Sequence, residues 1–383
     1  AGHHASVITS NLDYKNSRKR FEANGRVLNR TVDQISIKYI PVYDKIKGSF
    51  FKRLIFFASF FLRSISVVWN GPRPDVVYAV STPLTVGLLG VLASWIHRCP
   101  LVFEVTDVWP DAAIHTGVIK NPLIIWMAKA LELLCYYNSS TIVCLTKGIQ
   151  KLIISKGVEP LRTLFIPNGV DPQLFQSVSN EDRDNVRSKY RLSNKFVLMY
   201  LGAHGLYNSL DTIIHCADLL KNRDDIVFAL VGEGDKKAEL MDMARRLQLN
   251  NVVFISTVPR SESVKILAAS DAFLLPNLKG SFFQCNLPNK LFDFLASAKP
   301  VIVSGKCESS ALVLDAGAGY VVNACDPFAL SGVVEQISLL SSDKLSAMGC
   351  LGRRYVLSQY NRRNHAQSLL DCLNRHFLLS QTA

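Results

Sequence analysis

At 383 residues the chain is long enough for two domains with full-sized cores. Its 43 Lys+Arg against 31 Asp+Glu give +12, with residues 1–175 holding 20 against 11. No aromatic-interleaved basic stripe accompanies that excess, so nucleic acid is set aside for anionic lipid head groups or a phosphate-bearing acceptor. The nine cysteines show no Cys-x-x-Cys pair and no zinc spacing, which excludes a disulfide scaffold and a zinc site and reads as reduced core residues of a cytosolic protein.

The first half alternates strand and helix patterns, which argues a parallel α/β sheet. Strands are expected near residues 5–9, 35–40, 75–80, 101–105, 141–145 and 163–166. The apolar run at residues 54–62, flanked by Lys52-Arg53 and Arg63, is too short to span a bilayer, and no signal peptide precedes it. It suits a helix lying in the membrane interface near residues 50–63, or a core-facing helix between strands. Asp107 stands just past a strand in Glu104-Val-Thr-Asp-Val-Trp-Pro-Asp111. A carboxylate there can orient or deprotonate an acceptor hydroxyl, and an N-cap or turn aspartate is the plain alternative. The turn formers Pro167-Asn168-Gly169 and Asp171-Pro172 mark a boundary between domains 1–170 and 171–360, followed by a helix at 361–383.

The second half continues with strands near residues 196–201, 226–231, 252–255, 272–275, 301–303 and 319–322. After the first comes Gly202-Ala-His-Gly205, a turn whose backbone N–H groups can line an anion site; after the second comes Val231-Gly-Glu-Gly234, a weak Gly-x-Gly signal. A helix is expected from an Asn286 N-cap through Pro288 to about Ala298, stopped by Lys299-Pro300. Lys290, Asp293 and Ser297 would share one face and Leu291, Phe294, Leu295 and Ala298 the buried one. A lysine with open N–H groups attracts phosphate, and a carboxylate one turn on can accept sugar hydroxyls, so the segment suits a nucleoside diphosphate; a solvated Lys–Asp pair is the alternative. His3, His4 and His97 read as structural, while His115 and His204 lie near candidate loops without forming a metal pair.

Through Leu287-Pro-Asn-Lys-Leu-Phe-Asp-Phe-Leu-Ala-Ser-Ala-Lys-Pro-Val301 the chain resembles the retaining glycosyltransferases of family 4, in the branch that makes bacterial O-antigen and capsule, which includes L-fucosamine transferases. Those enzymes carry Pro-Ser-Lys-x-x-Glu-Tyr-Met-Ala-x-Gly-Lys-Pro-Val here. Ile166-Pro-Asn-Gly-Val-Asp171, Tyr200-Leu-Gly-Ala-His-Gly205 and Leu230-Val-Gly-Glu-Gly234 follow in the same order. The resemblance implies GT-B, an α/β architecture of two Rossmann-like domains with parallel sheets facing across a cleft, and a last helix that crosses back to the first domain. It implies transfer of a sugar, such as an N-acetylated deoxyhexosamine, from a UDP-sugar to a lipid-linked acceptor at the inner face of the cell membrane. No cofactor or metal is expected beyond the donor. Gly202, His204, Gly205, Gly232, Glu233, Gly234, Pro288, Asn289, Lys290, Leu291 and Asp293 are its implied donor residues, with Asp107 on the acceptor side. The family's usual cations are replaced by Thr106 and Leu206, and its first glutamate by Cys285. Gly2-His-His-Ala-Ser-Val-Ile-Thr resembles the family's second strand, so a strand, a glycine loop and a helix are expected upstream. The alternatives are a catalytically weak sugar-nucleotide-binding or scaffold protein and a UDP-sugar epimerase on the same fold.

Overall fold

A computed structural model describes residues 3–13, 18–19, 26–44, 50–115, 117–176, 178–280 and 284–381. Gly2 and residues 281–283 of the loop before Cys285 lie outside it. The chain divides into two units: residues 1–144, 149–165 and 371–383, and residues 145–148 and 166–370. The last helix, Arg362–Gln381, therefore begins in the second unit and ends in the first, where His376 Nε2 meets Thr141 Oγ1 at 2.8 Å.

In the first unit the strands are β1 (Ser6–Ser10), β2 (Leu12–Asp13), β3 (Arg18–Lys19), β4 (Leu28–Val32), β5 (Ile35–Ile40), β6 (Val77–Val80), β7 (Leu101–Val105), β8 (Thr141–Cys144) and β9 (Thr163–Phe165). β6-β7-β8-β9 form a parallel sheet, and Leu101, Val102 and Phe103 on β7 are fully buried, as expected of a strand covered on both faces. β1 and β5 pair in parallel, but β4, which the alternation missed, runs antiparallel to β5. Asp33 and Gln34 close that hairpin at φ 48° and 66°, the left-handed pair a two-residue turn needs. These two residue types carry no glycine signal, so the turn was hidden.

In the helix Phe50–Trp69, Phe56, Phe60 and Phe61 turn inward. Phe56 is buried against Leu12, and Phe60, Phe61 and Ile65 pack on Val68, Leu89 and Ala93. Leu54, Ile55, Leu62 and Trp69 are the exposed apolar residues instead. The aromatic run is thus core, and the aliphatic positions beside it form the outer surface. No helix among the described residues is long and apolar enough to cross a membrane.

The second unit has six parallel strands, β10 (Phe196–Leu201), β11 (Ile226–Val231), β12 (Val252–Ile255), β13 (Ala272–Pro276), β14 (Val301–Ser304) and β15 (Gly319–Val322), in the order β12-β11-β10-β13-β14-β15. Both faces are covered. Val197 and Met199 enter one core cluster while Leu198 and Tyr200 enter the other, the period-two alternation of a strand. The order reverses between β10 and β13. Loops there diverge above and below the sheet and leave a crevice at the strands' carboxyl ends.

Candidate functional site

Beside that switch point the helix Asn289–Ala296 begins. Its N-cap is Pro288, not Asn286: the Asn286 side chain bonds Asn277, and its carbonyl accepts from Ser309. The helix sits deeper than its amphipathic pattern indicates. Leu291, Phe292, Phe294, Leu295 and Ala296 are wholly buried, Phe294 stacks on Phe273 at 4.3 Å, and Asp293 is buried with them. Leu291 therefore serves as core, with its amide bonded to the Pro288 carbonyl, whereas Asn289 is exposed at the helix start.

Lys290 leaves this helix toward the end of β10. Its Nζ donates to Tyr200 Oη at 2.6 Å and Asn208 Oδ1 at 3.2 Å, and stands 4.2 Å from the Tyr200 ring centroid. No carboxylate among the described residues offsets it, and burial pushes its pKa down to about 7. Gly202 lets the ammonium approach: a Cβ there would lie 2.7 Å from Nζ. Asn208 carries no motif signal, and Tyr200, next to last in β10, opens the Tyr200–Gly205 motif without any sign that it meets Lys290.

The two glycine loops close on each other. A Cβ on Gly232 (φ 146°) would stand 1.9 Å from the Gly202 carbonyl oxygen, so only glycine fits. Here the glycine admits a neighbouring loop. His204 N donates to the Glu233 carbonyl at 2.9 Å, and Lys236 N to the His204 carbonyl at 2.9 Å. The His204 ring is fully buried beside Tyr200 and Phe254, with both nitrogens lacking a hydrogen-bond partner among the described residues and its pKa pushed down to about 4, chiefly by burial. It is a neutral packing residue; its backbone ties the loops. Gly202 N is bonded to the Val231 carbonyl, leaving the Ala203 and Gly205 amides without a partner among the described residues. Glu233 is exposed and accepts from Lys237 at 2.7 Å, which holds its carboxyl below the ordinary range.

Asp293, one turn after Lys290, meets a partner absent from the sequence reading. Arg260 Nη1 and Nη2 donate to Asp293 Oδ2 and Oδ1, each at 2.6 Å. The second unit thus gathers Lys290, Asp293 and both glycine loops at the carboxyl end of one sheet.

Asp107 belongs to the first unit, just past β7. Its carbonyl accepts from Trp109 N at 3.0 Å, while its carboxylate accepts no hydrogen bond from the described residues. Crowding of the loop raises its pKa by desolvation. Thr106 is tied down, its Oγ1 donating to the Ser81 carbonyl at 2.9 Å. His97 binds the Val68 carbonyl, and His115 is exposed at the end of Asp111–His115. Among the described residues no group of His, Cys, Asp and Glu is placed to hold a metal.

The chain is similar to known proteins over most of its length. Residues 1–169 match the Glycosyl transferase 4-like domain and residues 182–350 match Glycosyl transferases group 1. WcaI of Escherichia coli (strain K12), named as a glycosyl transferase of colanic acid biosynthesis, is 25% identical over 311 residues, 80% of this chain and 76% of its own. The UDP-Gal:alpha-D-GlcNAc-diphosphoundecaprenol alpha-1,3-galactosyltransferase of Escherichia coli is 23% identical over 309 residues, 78% and 74%. Anabaena HepE, solved in complex with UDP and glucose, superposes with TM-score 0.74 at 17% identity, covering 97% of this chain and all of that one.

Proposed function

Because the chain is a glycosyltransferase of the GT-B type, we propose that it moves a sugar from a UDP-sugar donor to a lipid-linked acceptor in surface polysaccharide biosynthesis. The observation that carries this is Lys290. It is an ammonium without a carboxylate partner among the described residues, beside a glycine loop and a helix start, at the carboxyl end of a parallel sheet. A leaving diphosphate would take that charge together with the nearby Ala203 and Gly205 amides, and Asp293 would accept from ribose hydroxyls. The cations come from the chain, so the transfer we assign is metal-independent. It retains the anomeric configuration, by front-side attack within an ion pair in which the donor diphosphate helps take the proton. The relative named for a UDP-Gal donor and a diphosphoundecaprenol acceptor supports the donor and acceptor classes, and HepE's bound UDP supports the donor. We assign an N-acetylated deoxyhexosamine as the sugar, on the Pro288-Asn289-Lys290 likeness alone.

Action at the inner face of the membrane is supported by the first unit's surface. Besides Leu54, Ile55, Leu62 and Trp69, it exposes Leu123, Ile124, Trp126 and Met127 on the helix Pro122–Tyr137, with Lys120 and Lys129 beside them. A second reading, a sugar-nucleotide-binding protein with little turnover, is favoured by Thr106 and the exposed Leu206, where the resemblance expects cations.

Calorimetric titration with UDP tests the donor assignment. Lys290→Ala should weaken binding by about 1.5–3 kcal/mol, roughly tenfold to 150-fold. Unchanged affinity would overturn it.

A further inference from the structure

Asp293 is a buried carboxylate whose only hydrogen-bonding side chain among the described residues is Arg260. The contact is a fork, with each guanidinium nitrogen on its own oxygen at 2.6 Å. Such an end-on pair fixes the plane of the carboxylate and leaves each oxygen a further lone pair. The two side chains differ in depth: Asp293 is 10% exposed, Arg260 47%. Arg260 opens the helix Arg260–Ala268, which follows β12. β12 pairs with β11, whose end carries Gly232 and Gly234. The arginine therefore reaches Asp293 from the same end of the sheet as the glycine loops. The Asp171 carboxylate also acts on it, adding to the Asp293 bond that keeps Arg260 protonated.

A side chain as short as aspartate cannot search for its ligand; its oxygens stay where the backbone and their partners put them. We propose that Arg260 is a positioning residue for Asp293, holding its carboxylate so that the remaining lone pairs take the ribose hydroxyls of the nucleoside diphosphate. This rests on the donor reading given above. A lysine at 260 would keep the charge and lose the fork, because an ammonium is a point donor. A salt bridge that merely tied the two helices together would affect every ligand of the site alike.

The test is a titration series on the full chain with UDP and 2′,3′-dideoxy-UDP. The wild type should favour UDP by at least about tenfold, the worth of charge-assisted hydrogen bonds to the hydroxyls. Arg260→Gln should shrink that preference to within about threefold while changing dideoxy-UDP affinity little, and Arg260→Lys should restore part of it. Should Arg260→Gln fail to fold, Arg260→Lys alone decides, with a preference smaller than wild type expected. A preference unchanged in the folded Arg260 variants would overturn the assignment and leave a structural bridge. A wild type that binds both ligands equally would overturn it by a different route, because the ribose contact itself would then be absent.

Discussion

Burial pushes the pKa of the Lys290 ammonium, packed on the Tyr200 ring, down from the ordinary lysine value of about 10.4 to about 7. With the folded pKa depressed, the folded chain binds fewer protons than the unfolded one between about pH 7 and 10.4. The resulting penalty on folding is fully present below pH 7 and is relieved as pH rises through that window. Diphosphate binding has the opposite preference, since the anion stabilises the charged form. UDP affinity should thus fall by up to about tenfold per unit as pH rises above 7, with proton uptake on binding. Calorimetry in two buffers of different ionisation enthalpy reads that uptake. Lys290→Arg, charged throughout, should flatten the profile, and a wild-type affinity constant from pH 7 to 9 would argue against the assignment. His204 contributes no titration near neutrality, because its imidazole stays neutral down to about pH 4.

Among the elements, the helices Phe50–Trp69 and Pro122–Tyr137 pose the same question in two places. Trp126 and Leu62 are 67% and 65% exposed, so their burial in a bilayer would remove apolar surface from water. Phe56 is core and would unfold the unit if replaced, so it reports nothing about lipid. Replacing Leu54, Ile55 and Leu62, or Trp126 and Met127, with serine should leave the fold intact, since each side chain is solvent-facing. Co-sedimentation of wild type with anionic vesicles should weaken in 1 M salt, where the Debye length is about 3 Å, and weaken further in these variants. Equal sedimentation of all forms would show that neither helix face meets lipid.

At the level of the whole molecule, the candidate groups divide between the two units. Lys290, Asp293, Arg260 and the glycine loops are in the second unit, and Asp107 is in the first. Donor binding and turnover should therefore separate on mutation. Asp107→Asn is expected to lower kcat while leaving the UDP dissociation constant within error, because the amide keeps the shape and loses the proton-accepting charge. Steady-state kinetics beside a UDP titration reads both. Wild-type turnover in the variant would make Asp107 a turn residue only.

Periodicity and punctuation determined much of this protein from sequence alone. The six strands of the second unit and the helix carrying Lys290 were legible, because strand and helix periods and turn chemistry are properties of neighbouring residues. The β4–β5 hairpin escaped because Asp33-Gln34 adopts left-handed geometry without glycine. Other features were decided only when distant segments met. Gly232 and Gly202 lie 30 residues apart and are packed backbone to backbone, so the glycine signal could not say what approached it. The inward turn of Phe56 depended on Leu12, and the pKa of Lys290 on burial beneath Tyr200 and Asn208. Arg260 reaches Asp293 across 33 residues of sequence. Pairing, burial and desolvation depend on which surfaces meet in space, and that meeting is set by the tertiary fold.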